Sequence, residues 1–473
     1  MFRKNDPRRV LIHVDLRRRD LMHSVWLKHW LEQMGAEVRL CSRVTILREF
    51  ERFRPHATIL SHTYSFGNQH GELLDRAKRT RVFVLPTEDA RDDTQNYLSS
   101  HEPGWHERGG SEPKWLPHIT CLYCWGPINK RRILEAGLMP EDRVIVCGIP
   151  RFDVAWESLF SEPMTGKPIG IVGNFGDLNP WDFYTRPWPF MPGQTRQRGY
   201  VLRRFLDGPQ YYFNMIECTR AGGEINYPPN RNTEDALWGS IANLRLIFDF
   251  LDRWTKLGGK TILRPHSLER FQSYDLLLER YRPHLEINND PAFFLFLQKV
   301  SGVLFMSSTA VLEGLLAKRP IIALESLLKG RYREHCEGTW RRAPYLDYMW
   351  QPDWMDTLID MAQAATRGEL ATCPDPTLFR EHLDEHYGWP RSEPSTLTVA
   401  KDVMNFLSQD DFEPPAVSPW RQLQNELDYD SYMFARRARN VFSPENRYRD
   451  RLEHHLGISR AEEEDMLRYL RRN

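Results

Sequence analysis

Between residues 9 and 153 the chain repeats one pattern: a short apolar run, then a stretch with helical spacing. The apolar runs are RVLIHVD (9–15), AEVRLCS (36–42), HATILSHTYS (56–65), VFVLPTED (82–89), ITCLYCWG (119–126) and RVIVCGIPRFD (143–153). Between them lie LMHSVWLKHWLEQMG (21–35), VTILREFERF (44–53), GELLDRAKR (71–79) and INKRRILEAG (128–137). Gly35 ends the first of these as a helix stop. Strands that are apolar on both sides need cover on both faces, and strands joined through helices achieve this in a parallel sheet. The pattern therefore predicts a doubly wound, Rossmann-like α/β domain over residues 1–160.

The alternation restarts at PIGIVGNFGD (168–177). TEDALWGSIANLRLIFDFLDRWTKLGG (233–259) reads as a long helix with acidic residues at its start and a Gly-Gly stop. TILRPH (261–266) is a strand, followed by a helix near 271–280, the strand LEINND, the helix PAFFLFLQKV, and strand–helix–strand in SGVLFMSSTAVLEGLLAKRPIIALE (301–325). A second doubly wound domain is expected over 166–408, with the helix at 396–408 closing it. Its irregular, aromatic-rich insertion, 174–232, has the length of a functional loop and serves either as an acceptor platform or as a packed satellite cluster. Two such domains are expected to face a cleft, with ligands at the carboxyl ends of the strands.

A linker, DFEPPAVSP, leads to a helical tail over 409–473 with helix-start signals at 443–446 and 459–462. From 418 onward it carries 11 Arg and 10 acidic residues. Such a tail docks a partner or a membrane surface, or packs on its own protein.

Lys plus Arg and Asp plus Glu both number 64, which argues against a nucleic-acid binder. No apolar run reaches the ~18 residues of a spanning helix. The basic N-terminus lacks the apolar core of a signal peptide. A cytoplasmic protein is expected, peripheral at most on the inner membrane. The seven cysteines are scattered. The Cys121/Cys124 pair has no second pair at metal spacing, so burial as small apolar groups is expected. Asp92 and Asp93 have no histidines at ligand spacing, and no metal is expected.

The residues that can carry chemistry sit where strands stop. In KTILRPHSLERF, Arg264 offers a fixed charge, Pro265 stiffens the exit, and His266 can donate to a phosphate or act as a structural cap. About 40 residues on, Ser307, Ser308 and Thr309 end another strand before a helix, as an anion site or as plain N-caps. Glu313 follows one turn later and can accept from a ribose hydroxyl. Gly173 and Asn174 form a turn where backbone can approach a phosphate. Together these predict a nucleotide pocket. In the first domain Glu88 and Asp153 end strands, either as helix caps or as a carboxylate pair for glycosyl transfer. Arg151 can hold a carboxylate or orient Asp153.

Four of these segments, in order over roughly 80–325, resemble bacterial surface-carbohydrate biosynthesis proteins akin to the Kdo transferases of capsule and O-antigen assembly. VIVCGIPRFD is similar to their V-x-G-N-P-R-F-D, LPTED to a strand ending in T-E-G, ILRPHSLE to R-P-H-P-x-E, and FMSSTAVLEGLLAKRPIIA to S-x-S-S-x-x-x-E-A-x-x-x-G-K-P. This chain departs from those patterns at Asp89, Ile149, Ser267 and Lys318-Arg319. The resemblance implies the two-domain GT-B arrangement and transfer of a sugar from a nucleotide donor, CMP-Kdo among the Kdo members, to a glycan or glycolipid acceptor. It implies that His266 and Ser307–Thr309 bind the donor phosphate and that Glu313 binds the nucleoside. Glu88 would act in the active site, and Asp153 would be the nucleophile or charge stabiliser of a retaining reaction, or a buried aspartate shaping the cleft. No cofactor and no nucleic acid are implied. The alternatives are a CDP-glycerol-type glycerophosphotransferase, a nucleotide-sugar epimerase, and a non-catalytic scaffold that binds no nucleotide.

Overall fold

The computed structural model describes residues 7–14, 17–42, 45–61, 80–85, 118–155, 164–173, 231–266, 274–290, 292–306, 310–328, 347–389 and 391–409, with isolated positions between 419 and 467. The chain forms two compact units. Residues 1–159 and 377–473 make the first, and 160–376 the second.

The first unit holds a six-stranded parallel sheet: β1 (Arg9–Val14), β2 (Glu37–Ser42), β3 (Ala57–Leu60), β4 (Arg81–Val84), β5 (Cys121–Cys124) and β6 (Val144–Val146), in the order β2-β1-β3-β4-β5-β6. On one face, α1 (Arg17–Gln33) packs Leu27 and Leu31 against Val10, Ile12, Ile59 and Tyr123. On the other, α2 (Ile46–Phe53) covers Leu11 and Leu60, and α3 (Pro127–Glu135) brings Ile133 against Leu122 and Cys124. The doubly wound expectation is met. The helix α1 starts four residues before the apolar spacing does, with a polar first turn, Arg17–Asp20, whose three arginines are good helix formers and whose Asp20 suits the positive end of the helix.

The second unit holds a five-stranded parallel sheet of β7 (Ile169–Val172), β8 (Thr261–Arg264), β9 (Leu285–Ile287), β10 (Gly302–Phe305) and β11 (Ile321–Ala323), ordered β11-β10-β7-β8-β9. One face, with Ile171, Leu263, Leu304 and Ile322, is covered by α4 (Arg231–Trp254), α5 (Asp275–Tyr281) and α8 (Met355–Arg367). The other lies under α6 (Phe293–Leu297) and α7 (Val311–Leu316). There a Cβ on Gly170 would meet Phe296 at 2.6 Å, and one on Gly314 would meet Ile321 at 2.7 Å. These two positions need glycine for close approach.

The chain then returns to the first unit through α9 (Pro376–Tyr387) and α10 (Ser395–Ser408). This corrects the expectation that 396–408 closes the second domain. Val399, Ala400, Val403 and Leu407 of α10 join Leu27, Leu31, Phe83 and Cys121 in the first core. An apolar stripe says that a helix must be covered, not which sheet covers it. Gly126 fixes the return, since a Cβ there would lie 1.8 Å from the His386 carbonyl oxygen. The tail touches the same unit at two described positions. Trp26 Nε1 donates to the Met466 carbonyl at 3.3 Å, and Arg52 pairs with Glu426. Among the described residues no helix is long and apolar enough to cross a membrane.

Candidate functional site

In the second sheet β7 leads across to β8 and β9, and the chain then comes back to β10 on the other side. The crossover point lies between β7 and β10, where ligands of open parallel sheets bind at the carboxyl ends. Val172 of β7 is in register with Phe305 of β10 on one side and Arg264 of β8 on the other. Three expected segments therefore leave the sheet side by side. Gly173 follows β7, and its N–H donates to the Arg264 carbonyl at 2.9 Å. His266, half-buried, stands two residues past β8. Met306 follows β10 and leads into Ser307–Thr309. The outer two exits are two strand spacings apart, about 10 Å.

Asn174, Ser307, Ser308 and Thr309 lie outside the described residues, as do Glu88, Asp92 and Asp93 and nearly all of the 174–232 insertion. Glu313 is described, half-buried in the first turn of α7.

Arg264 has a structural task. Its Nη1 donates to Asn288 Oδ1 (2.5 Å) and to the Asp290 carbonyl (3.0 Å), with Phe293 5.7 Å from the guanidinium carbon. Asn288 Nδ2 donates in turn to Asp290 Oδ2, and Lys299 pairs with the same carboxylate. This network ties the exits of β8 and β9 together. Lys318, where the resembled pattern carries glycine, has φ +54°. The left-handed conformation is what that position requires, and it disfavours any residue with a Cβ. The neighbouring Arg319 is fully buried and donates through Nε to the Leu297 carbonyl at 2.8 Å.

In the first unit Asp153 is 4% exposed. Its Oδ1 accepts from the Ser395 N–H, and its Oδ2 from the Thr396 N–H and hydroxyl, all at 2.7 Å. The carboxylate thus caps α10 from 242 residues away, the geometry of the buried structural aspartate that was the alternative to a nucleophile. Both oxygens are engaged at the helix N-terminus, Oδ1 by one donor and Oδ2 by two. Burial pushes its carboxyl up to about 6, against the lowering effect of the bonds from Thr396 and Ser395. The short helical segment Pro150–Ala155 that carries Asp153 also carries Arg151, buried beside His23 of α1. Burial lowers His23 to about 4, with Asp20 opposing and Arg151 and Arg19 adding to the shift. Asp20 is itself buried and accepts two bonds from Arg19, at 2.7 and 2.9 Å. Arg151 and Asp153 therefore belong to a buried polar layer among α1, α10 and the 150–155 turn.

The CxxC thiols are buried in β5, and burial raises both to about 12. They pack as small apolar groups, as expected. Among the described residues no three His, Cys, Asp or Glu side chains come together as metal ligands.

Nothing in the sequence pattern marks His13 as other than a strand residue. The structure places its Nδ1, inside β1, 3.0 Å from the Oγ of Ser61, the residue after β3. The one local signal is a histidine interrupting the apolar run RVLIHV.

Fold and strand exits together define a two-unit α/β protein, each unit a doubly wound parallel sheet. No family model and no curated protein matches the chain. Solved structures of similar architecture include Staphylococcus aureus MnaA with UDP, at 10% identity and TM-score 0.44, covering 87% of this chain and all of that one. Another is UDP-GlcNAc 2-epimerase of Methanocaldococcus jannaschii with UDP-GlcNAc and UDP, at 11% identity and TM-score 0.44, covering 85% of this chain and all of that one. The wall teichoic acid polymerase TagF aligns at 9% identity and TM-score 0.46, over 85% of this chain and 89% of its own.

Proposed function

We propose that the second unit binds the nucleotide of a sugar donor and that the protein is a glycosyltransferase of bacterial surface-polysaccharide synthesis. Its acceptor is the growing glycan or the lipid-linked precursor, reached from the cytoplasmic face of the inner membrane, and CMP-Kdo is the first donor to test. What supports the reading is the row Phe305–Val172–Arg264 at the crossover of the sheet, from which Met306, Gly173 and Pro265–His266 follow side by side.

In this reading the His266 imidazole and the hydroxyls of Ser307–Thr309 donate to the donor phosphate. Gly173, with no side chain, lets backbone approach it. Glu313 accepts from the nucleoside. The bond from the anomeric carbon to the phosphate oxygen breaks, and its electron pair leaves with the nucleotide. The acceptor oxygen bonds to the anomeric carbon as its proton passes to Glu88. Donors fixed before reaction stabilise the charge that builds on the leaving phosphate without reorganisation. Asp153, which caps α10, has no part in this step.

Calorimetry with CMP, CDP, UDP and GDP tests the reading. One nucleotide should bind, and His266→Ala should weaken it about tenfold or more, as expected for loss of a charge-assisted bond. Absence of binding by all four, or affinity indifferent to His266, would overturn it. A product that gains phosphorus would mark a glycerophosphotransferase, and donor turnover without acceptor an epimerase.

A further inference from the structure

The tail carries a helix whose polarity is reversed. The described positions between 419 and 430 are all helical. Trp420, Leu423 and Leu427 stand three and four residues apart, so they share one face. They are 80%, 48% and 56% exposed. Gln422 and Glu426, four apart on another face, are half-buried, and Glu426 pairs with Arg52 of α2. A surface helix of a globular protein sets its apolar stripe against the core and its polar side in water. Here the polar side ties the helix to the first unit, and the apolar stripe lies in the open. Three of the six large apolar side chains exposed among the described residues belong to this one stripe. Asp430, also exposed, ends it. The tail is tied to the same unit again where Met466 is buried and its carbonyl accepts from Trp26.

Basic groups adjoin that contact. Arg52 leads to Arg54 at the end of α2, and the Arg9 guanidinium donates to the Arg54 carbonyl at 3.1 and 2.9 Å. The His56 N–H donates to the Arg9 carbonyl, the Arg81 N–H to the His56 carbonyl, and the Glu37 N–H to the Arg8 carbonyl. Residues 8, 9, 37, 52, 54, 56 and 81 therefore form one row at the amino edge of β2, β1, β3 and β4. Its fixed charges are five arginines, each half-buried or exposed, and Glu37. An apolar stripe beside a cationic row matches a bilayer with anionic headgroups. Leucine and tryptophan enter the boundary between headgroups and acyl chains, and arginines are drawn to the lipid phosphates. A second copy of this chain matches less well. It would bring a like-charged row with it, and a stripe of a few hundred Å² falls short of the ~800 Å² that each partner of a stable dimer buries.

We infer that the first unit docks on an anionic lipid bilayer through Trp420, Leu423 and Leu427, with the arginine row supplying the attraction to its headgroups. The docking surface does not depend on the transferase reading. Its use, to bring the protein to a lipid-linked acceptor, rests on the function proposed above.

The test is sedimentation of the full chain with vesicles of phosphatidylcholine alone and of phosphatidylcholine mixed with phosphatidylglycerol. The protein should bind the mixed vesicles, and bind the neutral ones about tenfold more weakly or less. Leu423→Gln combined with Leu427→Gln should reduce binding to the mixed vesicles about tenfold or more. Trp420→Gln should reduce it by itself. Melting temperatures should stay near that of the parent, because these side chains are largely in water already; if the double variant unfolds, Trp420→Gln decides. Salt at about 1 M, where the Debye length is about 3 Å, should weaken binding as well. Absence of binding to both vesicles overturns the inference, as does binding that ignores lipid charge or survives these substitutions in folded protein. A dimer in sedimentation velocity that the same substitutions dissolve would give the stripe to a second copy and overturn it too. If the nucleotide panel fails while the mixed vesicles still bind, the transferase reading falls and the docking surface stands.

Discussion

Asp153 and Thr396 are bound through both the backbone N–H and the hydroxyl of the threonine, each 2.7 Å from the same carboxylate oxygen. The residue preceding the helix is Pro394, which offers no side-chain cap, so the start of α10 depends on a carboxylate delivered from the far side of the second unit in sequence. Asp153→Ala leaves buried donors unmatched and should cost about 3 kcal/mol. Thr396→Val, which keeps the N–H bond, should cost about 1 kcal/mol. Urea unfolding followed by a first-unit probe measures both. If Asp153→Ala retains full stability and loses only transfer, the capping role is wrong.

The buried His23 and Asp153 give stability terms of opposite sign in acid. His23 is lowered from 6.5 to about 4, so its contribution is present above 6.5 and lost as pH falls through 4. Asp153 is raised from 3.8 to about 6, so its contribution is present below 3.8 and lost as pH rises through 6. Each changes stability by about 1.4 kcal/mol per pH unit inside its window, and between 4 and 6 they oppose each other. His23→Gln removes the first, so the urea midpoint of that variant should rise as pH falls from 6 to 4, while the parent stays nearly flat.

Burial keeps the thiols of Cys41, Cys121, Cys124 and Cys147 protonated. The thiolate is the reactive species. A maleimide added to the native protein should leave these four unmodified by mass spectrometry and label them after denaturation. Rapid native labelling of Cys121 or Cys124 would restore a redox reading of the CxxC.

Structural and ligand roles separate at the second edge. Arg264→Gln strips Asn288 and Asp290 of a donor and should destabilise the second unit by about 2 kcal/mol. His266→Ala should cost less stability than Arg264→Gln and reduce nucleotide affinity about tenfold. Equal loss of stability in both variants would make His266 a cap.

Lys318→Gly should stabilise the protein by about 1 kcal/mol, because glycine takes the left-handed conformation without the steric cost of a Cβ. Thermal unfolding checks this, and a lower melting temperature would show that the Lys318 side chain contributes more than its backbone costs.

The sequence by itself determined the local order. Short apolar runs with helical stretches between them dictated parallel sheets covered on both faces, and Gly35 marked a helix end because its φ of +90° suits glycine. The exits worth watching in the second unit were legible too, since a strand end is a local event. Tertiary structure alone decided which strands are neighbours, which sheet receives α10, and that Asp153 finds its partners 242 residues on. It also decided that His13 meets Ser61. The reason is physical: periodicity records that a face must be buried and a charge bonded, both of which a residue demands wherever it lands. The identity of the covering face or the bonding partner depends on which distant segments pack together, and no local pattern encodes that.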